Sequence, residues 1–294
     1  MTVAHSDGIV VVDKPGDWTS HDVVARIRKL ASTRRVGHAG TLDPMATGVL
    51  VVGVGRATRL LGHLARSDKD YDATIRLGAT TTTDDAEGEI VSERSADAVT
   101  DAEVHAGLAA LTGEIEQVPS AVSAIKVGGV PAYARARAGE AVELAARRVT
   151  VSKLDLLARR GADLDVVVTC TSGTYVRALA RDLGAALGVG AHLTALRRTR
   201  VGGFTIDQAR TLEQLVEEFT VVPLSAAVAA SFPRLDVDDD TSQRLVFGQR
   251  IELPALDERV TGLFGPDGAV VALAAVVDGR PRSLVVFAPD AERI

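Results

Sequence analysis

The sequence is poor in cysteine, in long apolar runs and in net positive charge. Its single cysteine, Cys170, cannot form an internal disulfide. Cys170 ends an apolar run over residues 164–170 that is typical of a buried strand, so we expect a small core residue. The longest apolar runs, such as residues 221–230, are broken by proline or polar residues and are too short to cross a bilayer. The chain does not open on a basic segment followed by an apolar one, so we expect no signal peptide and a cytoplasmic, globular protein.

The net charge of −6 argues against indiscriminate binding of nucleic acid. Residues 231–294 contain eleven acidic and seven basic residues, which leaves a net charge of −2 for residues 1–230. Basic residues nevertheless cluster within the larger part, and such clusters are either solvated faces or the lining of one groove. The clusters are Arg26-Arg28-Lys29, Arg34-Arg35, Arg147-Arg148 and Arg197-Arg198-Arg200.

No metal-ligand spacing is present among the six histidines, and neither a Gly-x-Ser-x-Gly elbow nor a Walker sequence occurs. One partial cofactor signal remains, because an apolar run leads through Gly53-Val54-Gly55 into a helical pattern. Thr58 replaces the third glycine of a dinucleotide fingerprint, and no acidic residue closes a second parallel strand. A tight turn into a packed helix is the better interpretation, with a nicotinamide or flavin enzyme as the minor alternative.

Strands and helices are interspersed without strict βαβ alternation, which predicts an α+β fold with a mixed, largely antiparallel sheet flanked by helices. Past Pro233 the sequence changes to short apolar runs separated by strong turns at residues 265–268 and 278–281. We therefore predict a domain of residues 1–230 followed by a small β-rich domain of residues 231–294.

Local patterns predict several further elements. Ser20 is the expected N-cap of the first helix, and residues 131–139 begin with proline and end with glycine as a short helix does. Residues 80–89, polar and acidic, and residues 117–129 have the composition of loops.

Residues 37–48, Gly-His-Ala-Gly-Thr-Leu-Asp-Pro-Met-Ala-Thr-Gly, form the most distinctive stretch of the sequence. Three glycines and a proline exclude a helix, and an apolar run typical of a buried strand follows. Asp43 precedes Pro44, which favours extended backbone and so presents the carboxylate on a stiff support. An isolated loop aspartate is more often a turn former than a reactive group.

This stretch resembles the signature loop of the bacterial tRNA pseudouridine-55 synthases, the TruB family. Further matching motifs follow the family's order over roughly residues 8–215. They are Asp13-Lys14-Pro15, Lys69-Asp70-Tyr71, Gln117-Val118-Pro119-Ser120 with Ser123-Ala124-Ile125-Lys126, Ser172-Gly173-Thr174-Tyr175-Val176-Arg177 with Asp182-Leu183-Gly184, and Gly190-Ala191-His192-Leu193 with Leu196-Arg197-Arg198.

The resemblance implies a pseudouridine synthase fold with a PUA-like domain at residues 231–294. That module departs most from the family, since it is net acidic and shows no diagnostic motif. The implied activity is isomerisation of uridine 55 in the T-loop of tRNA, without metal or organic cofactor. Asp43 would be the nucleophile. Attack on the sugar, attack on the base and elimination at the sugar all remain open.

The resemblance also assigns roles to residues that pattern alone would place elsewhere. Arg177 would pair with Asp43 through a guanidinium that grips both carboxylate oxygens. Tyr71 would stack on the flipped uracil and Tyr175 would form a wall of the pocket, although pattern alone favours core packing for both. His38, which would otherwise be read as a surface residue, would enter the gap left by the extruded bases.

The remaining implied contacts concern the RNA. Lys14, Lys126, Arg197 and Arg198 are candidates for phosphate or loop contacts, and residues 117–148 resemble a thumb that closes over the T-arm. We expect a monomer that binds tRNA. A second hypothesis is a tRNA-binding folding factor in which catalysis is secondary, and the retained Asp43, Tyr71 and Arg177 argue that catalysis is not lost.

Overall fold

The computed structural model describes residues 7–120, 126–127, 130–131, 144–249, 252–253 and 256–287. The strands in chain order are β1 (Gly8–Lys14), β2 (Val36–His38), β3 (Thr47–Val54), β4 (Lys69–Leu77), β5 (Ala79–Thr81), β6 (Ile90–Glu93), β7 (Gly113–Gln117), β8 (Lys126–Val127), β9 (Val130–Pro131), β10 (Arg147–Arg160), β11 (Asp163–Cys170), β12 (Ala191–Val201), β13 (Phe204–Thr205), β14 (Val222–Pro223), β15 (Arg234–Asp236), β16 (Thr261–Phe264), β17 (Val270–Val277) and β18 (Arg280–Val286). The α-helices are α1 (Ser20–Leu30), α2 (Leu61–Leu64), α3 (Asp101–Ala110), α4 (Val176–Ala186), α5 (Leu212–Glu217), α6 (Leu224–Ser231) and α7 (Asp239–Val246).

One large sheet organises the chain, in the strand order β14-β1-β3-β12-β4-β11-β10-β7, with β2 added to β3 and β13 to β12. The β3–β12 contact is parallel and every other pairing in this sheet is antiparallel. A second sheet has the order β15-β16-β17-β18. The mixed, largely antiparallel α+β architecture predicted from the sequence is confirmed.

Strand β12 lies at the centre of the large sheet, between β3 and β4. The sequence marks this segment by its arginines and by a family motif, and its pattern predicted no strand there. Its polar residues obscure the alternation, but Leu193 and Val201 are buried. Because β12 joins the strand that follows the Asp43 loop to the strand that holds Tyr71, it brings those two motifs together.

Local predictions fare unevenly against the structure. The N-cap of α1 is Thr19, in a capping box with Asp22, while Ser20 is already helical. Neither of the two predicted loops is irregular throughout. Residues 80–89 include the end of β5, and residues 117–129 include the last residue of β7 and strand β8. The helix predicted for residues 131–139 lies outside the described residues, apart from Pro131 at the end of β9.

The two glycines at the end of β3 and just after it, Gly53 and Gly55, allow a tight, closely packed turn. A Cβ on Gly53 would lie 3.0 Å from the Ala57 carbonyl oxygen, and Gly55 has a φ of +62° at the start of a 3₁₀ turn, Gly55–Leu60. Strand β12 is parallel to β3 but antiparallel to β4, the next strand of the large sheet along the chain. The turn therefore does not belong to a parallel βαβ unit.

The small second sheet packs on the large one through a common core. Phe264, Leu273 and Phe287 are buried together with Leu224 and Val228 of α6 and with residues of β1 and β3. Within the described ranges, no helix has the length and apolarity needed to cross a membrane.

Candidate active site

The loop between β2 and β3 is held by hydrogen bonds to helix α1 and within itself. Ser20 Oγ accepts from the Leu42 amide at 2.9 Å, and the Ala46 amide donates to the Asp43 carbonyl at 3.1 Å. Leu42 and Ala46 are buried beside Asp43. The loop is therefore a rigid support, as the proline after Asp43 suggested.

Arg177 near the start of α4 grips the Asp43 carboxylate with two nitrogens. Its Nε lies 3.0 Å from Oδ2 of Asp43, and its Nη2 donates to Oδ1 at 3.1 Å. The arginine side chain is 5% exposed and the aspartate side chain 35%. The pair thus buries the guanidinium but leaves the carboxylate open to the cavity described below.

Asp85 is a third member of this group, and the sequence analysis missed it. Its carboxylate is 3% exposed and lies 3.2 Å from Arg177 Nη1, which also donates to the Thr83 carbonyl at 2.9 Å. The Thr83 hydroxyl and the Glu87 amide donate to Asp85 Oδ1. Asp85 sits in a stretch whose composition indicates a loop, so only the fold reveals that it is buried.

The ionisation of Asp43 reflects opposing influences. Burial raises the pKa of its carboxyl above the ordinary value, the positive charge of Arg177 opposes that rise, and the negative charge of Asp85 adds to it. The bidentate contact with Arg177 favours the carboxylate form.

A cavity of about 250 Å³ opens beside Asp43. This volume is sufficient for one nucleobase. The side chains that line it include Asp43, Lys69, Tyr71, Tyr175, Arg177 and Arg198.

The two tyrosines of this cavity are held differently. Tyr71 is 8% exposed, and burial raises the pKa of its hydroxyl, which keeps the phenol protonated at neutral pH. The backbone of Tyr175 is clamped by Gln117, whose amide oxygen accepts from the Tyr175 amide at 2.8 Å while its nitrogen donates to the Tyr175 carbonyl at 3.2 Å.

Lys14 and Arg198 both donate hydrogen bonds to backbone carbonyls in or next to the Asp43 loop. Lys14 is fully buried, and its ammonium donates to the carbonyls of Pro15, Trp18 and Pro44 at 2.8, 2.6 and 3.0 Å. Arg198 is 1% exposed and donates to the carbonyls of Val49, Gly40 and Thr41. Both candidates for RNA contacts thus hold the Asp43 loop in place, and their contact with RNA stays a prediction.

The other two basic candidates are not buried in this way. Arg197 makes a two-point ion pair with Asp13, at 3.0 and 2.8 Å, and its side chain is 40% exposed. The backbone of Lys126 belongs to β8, but its side chain lies outside the described part of the chain, as does most of the segment 117–148.

His38 ends β2 and packs edge-on against His21 of α1, with 5.7 Å between the ring centroids. Burial lowers the pKa of the His38 ring, and the neighbouring His21 and Arg198 lower it further. The ring is therefore neutral at neutral pH. Among the described residues, no group of three acidic, histidine or cysteine side chains has the arrangement of a metal site.

Three family models match the chain in succession. Residues 28–176 match the TruB family pseudouridylate synthase N-terminal domain, residues 177–224 the tRNA pseudouridylate synthase B C-terminal domain, and residues 232–288 the tRNA pseudouridine synthase II C-terminal domain.

Curated relatives match over nearly their whole length. The tRNA pseudouridine synthase B of Thermobifida fusca is 62% identical, covering 96% of this chain and 99% of that protein. The protein of the same name from Arthrobacter sp. is 57% identical, covering 97% and 98%.

Solved structures share the fold. A chain of an H/ACA RNP bound to a substrate RNA containing 2′-deoxyuridine is 25% identical with a TM-score of 0.74, covering 96% of this chain and 85% of that one. A Cbf5-Nop10-Gar1 complex contains a chain 26% identical, with the same TM-score and coverage. The matched models and relatives together show that this chain belongs to the TruB family of pseudouridylate synthases.

Proposed function

We propose that the protein is a tRNA pseudouridine synthase that isomerises uridine 55 in the T-loop, with Asp43 as nucleophile. The observation that carries the proposal is a carboxylate gripped by a buried arginine at the edge of a cavity that fits one base. The curated relatives named tRNA pseudouridine synthase B support tRNA as the substrate. A tRNA substrate is consistent with activity in the cytoplasm.

The reaction breaks the C1′–N1 bond of uridine, turns the uracil and joins C1′ to C5, while the C5 proton is lost and N1 gains one. Attack by Asp43 on the sugar, attack on the base and elimination at the sugar each require an ionised carboxylate beside the nucleoside. Asp43 provides that carboxylate, and Arg177 holds both of its oxygens in a fixed direction.

The substrate uridine must leave its stack in the T-loop to reach this cavity. In our proposal Tyr71 stacks on the flipped uracil, Tyr175 forms a wall of the pocket and His38 fills the space that the base leaves. A neutral His38 ring suits contact with bases better than with phosphates. Arg197, Lys126 and the segment 117–148 contact the T-arm, and one monomer binds one tRNA.

The test is to incubate an unmodified tRNA transcript with the protein and map pseudouridine chemically along the whole RNA. We expect one new pseudouridine, at position 55, and none when that uridine is changed to cytidine. If the tRNA binds but no pseudouridine forms at any position, the enzyme proposal is wrong and the folding-factor hypothesis takes its place.

A further inference from the structure

Lys69 is a buried cation in the cavity wall to which the sequence analysis gave no role. It begins β4 two residues before Tyr71, so both side chains lie on the same buried face of the strand. Lys69 is 6% exposed and lines the cavity together with Tyr71 and Asp43. Its ammonium donates to the carbonyls of Ala65 and Ser67, at 2.9 and 2.7 Å.

Lys14 provides an internal comparison. Both lysines are buried, and burial lowers the pKa of each to about 8. The Lys14 ammonium has a carbonyl acceptor for each of its three N–H groups. Among the residues that the structure describes, Lys69 has acceptors for only two, which leaves one N–H for a ligand in the cavity.

The surroundings of Lys69 carry an excess of positive charge. A Cβ on Gly40 would lie 3.5 Å from Lys69 Cε and 3.8 Å from Arg198 Nη1, so the two cations flank the same glycine. Neither has a carboxylate within 4.0 Å among the described side chains. Buried charge without a counter-ion is costly, and neutral donors would serve the backbone carbonyls equally well. The positive charge itself therefore calls for an anion that arrives with the substrate.

The proposed reaction generates such an anion. When the C1′–N1 bond breaks, its electron pair passes to the uracil ring and is shared between N1 and the two carbonyl oxygens. We propose that the Lys69 ammonium hydrogen-bonds a carbonyl oxygen of this uracil anion and stabilises it while the ring turns. Lys69 keeps its proton. The negative charge leaves the ring when C5 bonds to C1′ and the group held there, the Asp43 carboxylate in the case of attack on the sugar, departs with the electron pair of its own bond. The C5 proton is then lost and N1 gains one, so that the product ring is neutral.

The inference rests on the proposed function. It is tested by changing the stability of the uracil anion that leaves C1′. 5-Fluorouracil is a more stable anion than uracil, so a tRNA with 5-fluorouridine at position 55 depends less on stabilisation by the protein. The variants are Lys69→Met, which removes charge and hydrogen bonds, and Lys69→Gln, which removes the charge but keeps an N–H donor. Lys14→Met is the matched control. Loss of the original N-glycoside is measured in single turnovers, at a pH at which both bases are neutral, with tRNA affinity and melting temperature in parallel.

We expect the Lys69 variants to lose about 100-fold in rate on uridine, since removing one donor to a developing oxyanion has effects on the order of 10²–10³-fold. On 5-fluorouridine we expect a loss of less than about tenfold, whereas Lys14→Met slows both substrates equally. Equal losses on both substrates for Lys69→Gln, or no loss, would overturn the inference. Absence of pseudouridine with the unaltered protein would instead refute the proposed function itself.

Discussion

Arg177 is held between two carboxylates, and its orientation depends on both. Asp43 takes Nε and Nη2, while buried Asp85 takes Nη1 from the opposite side. An arginine with a single partner could swing with it, whereas this arginine is fixed by its second partner and by the Thr83 carbonyl. Asp85 is thus a positioning residue for Asp43.

Replacing Asp85 tests this dependence. We expect Asp85→Asn to reduce pseudouridine formation about 100-fold, because a catalytic group displaced by about 1 Å loses rate on that order. The control is Asp84→Asn, at the residue directly before Asp85 in the chain, which loses an ion pair with Arg181. Its rate of pseudouridine formation should stay close to that of the unaltered protein. Single-turnover assays at saturating enzyme measure both, and equal rates for the two variants would contradict the positioning role.

The pH dependence follows from the ionisation of Asp43. Burial raises the pKa of this carboxyl above its ordinary value of 3.8. In the proposed reaction only the ionised form is active. Activity is therefore complete at pH values above the raised pKa and falls as the pH drops through it. A pH–rate profile with tRNA binding measured in parallel checks this, and an acid limb at or below the ordinary value would show that burial does not control Asp43.

Sequence reasoning reached Asp43, Tyr71 and Arg177 because each stands in a distinctive motif. It did not reach Asp85, because a short polar stretch carries no sign that the fold will bury one of its acids. For Lys14 and Arg198 the sequence predicted contacts with RNA but not the backbone carbonyls that they bind, because a basic side chain in a sequence does not reveal its acceptors. The alternation of β4 did place Lys69 on the buried face, which is a signal that could have been used.

Strand β3 can pair with β12 because Gly48 has no side chain to obstruct the approach of that strand. Gly48 has a φ of +96°, and a Cβ there would lie 2.2 Å from the carbonyl oxygen of Arg198. This is the point at which β3 meets β12 in parallel. The contact fixes the distance between the Asp43 loop and the strand that carries Arg198.

We therefore expect Gly48→Ala to destabilise the fold by about 3 kcal/mol, through backbone strain and steric overlap. Gly62→Ala, at an exposed position of helix α2 with nothing within 4 Å of the added methyl, is the matched control and should be neutral or stabilising by up to about 1 kcal/mol. Urea unfolding of both variants measures the difference. Equal stabilities would show that β3 and β12 can separate at little cost.

Strand β12 is an element that the local sequence pattern does not predict. Its alternation is broken by a register shift between Leu193 and Ala195 and another between Arg198 and Arg200, so its apolar period is hidden. The strand predicted over residues 164–170 is confirmed as β11, since its apolar run is typical of a buried strand. Local patterns identify strands with one buried face, whereas a central strand rich in arginine depends on partners far away in sequence.

Residues 231–287 are connected to the large-sheet part of the protein by hydrogen bonds from side chains and by a shared core, in addition to the polypeptide itself. Arg56 Nη1 donates to the Phe287 carbonyl and Arg59 Nη1 to the Val286 carbonyl, both at 2.8 Å. The Phe287 ring is 3% exposed in the core shared with α6. A boundary near residue 230 therefore crosses a continuous apolar core, and the division into two domains stays a prediction.

Phe287→Ala tests how far the two parts fold together. We expect a loss of about 3–5 kcal/mol in the free energy of unfolding and a single cooperative transition. Phe247 lies in the same module but is 77% exposed, so Phe247→Ala should change stability by less than about 0.5 kcal/mol. Two separate transitions, with only the smaller one shifted by Phe287→Ala, would establish independent domains.

The most direct test of the central claim is pseudouridine formation by Asp43→Asn, which keeps the shape of the side chain and removes its charge. The exposed Asp72→Asn, on the strand that carries Tyr71, is the matched control. The account predicts no product with Asp43→Asn, unchanged tRNA affinity, and full activity with Asp72→Asn. Product from Asp43→Asn at a rate near that of the unaltered protein would contradict the assignment of Asp43 as the nucleophile.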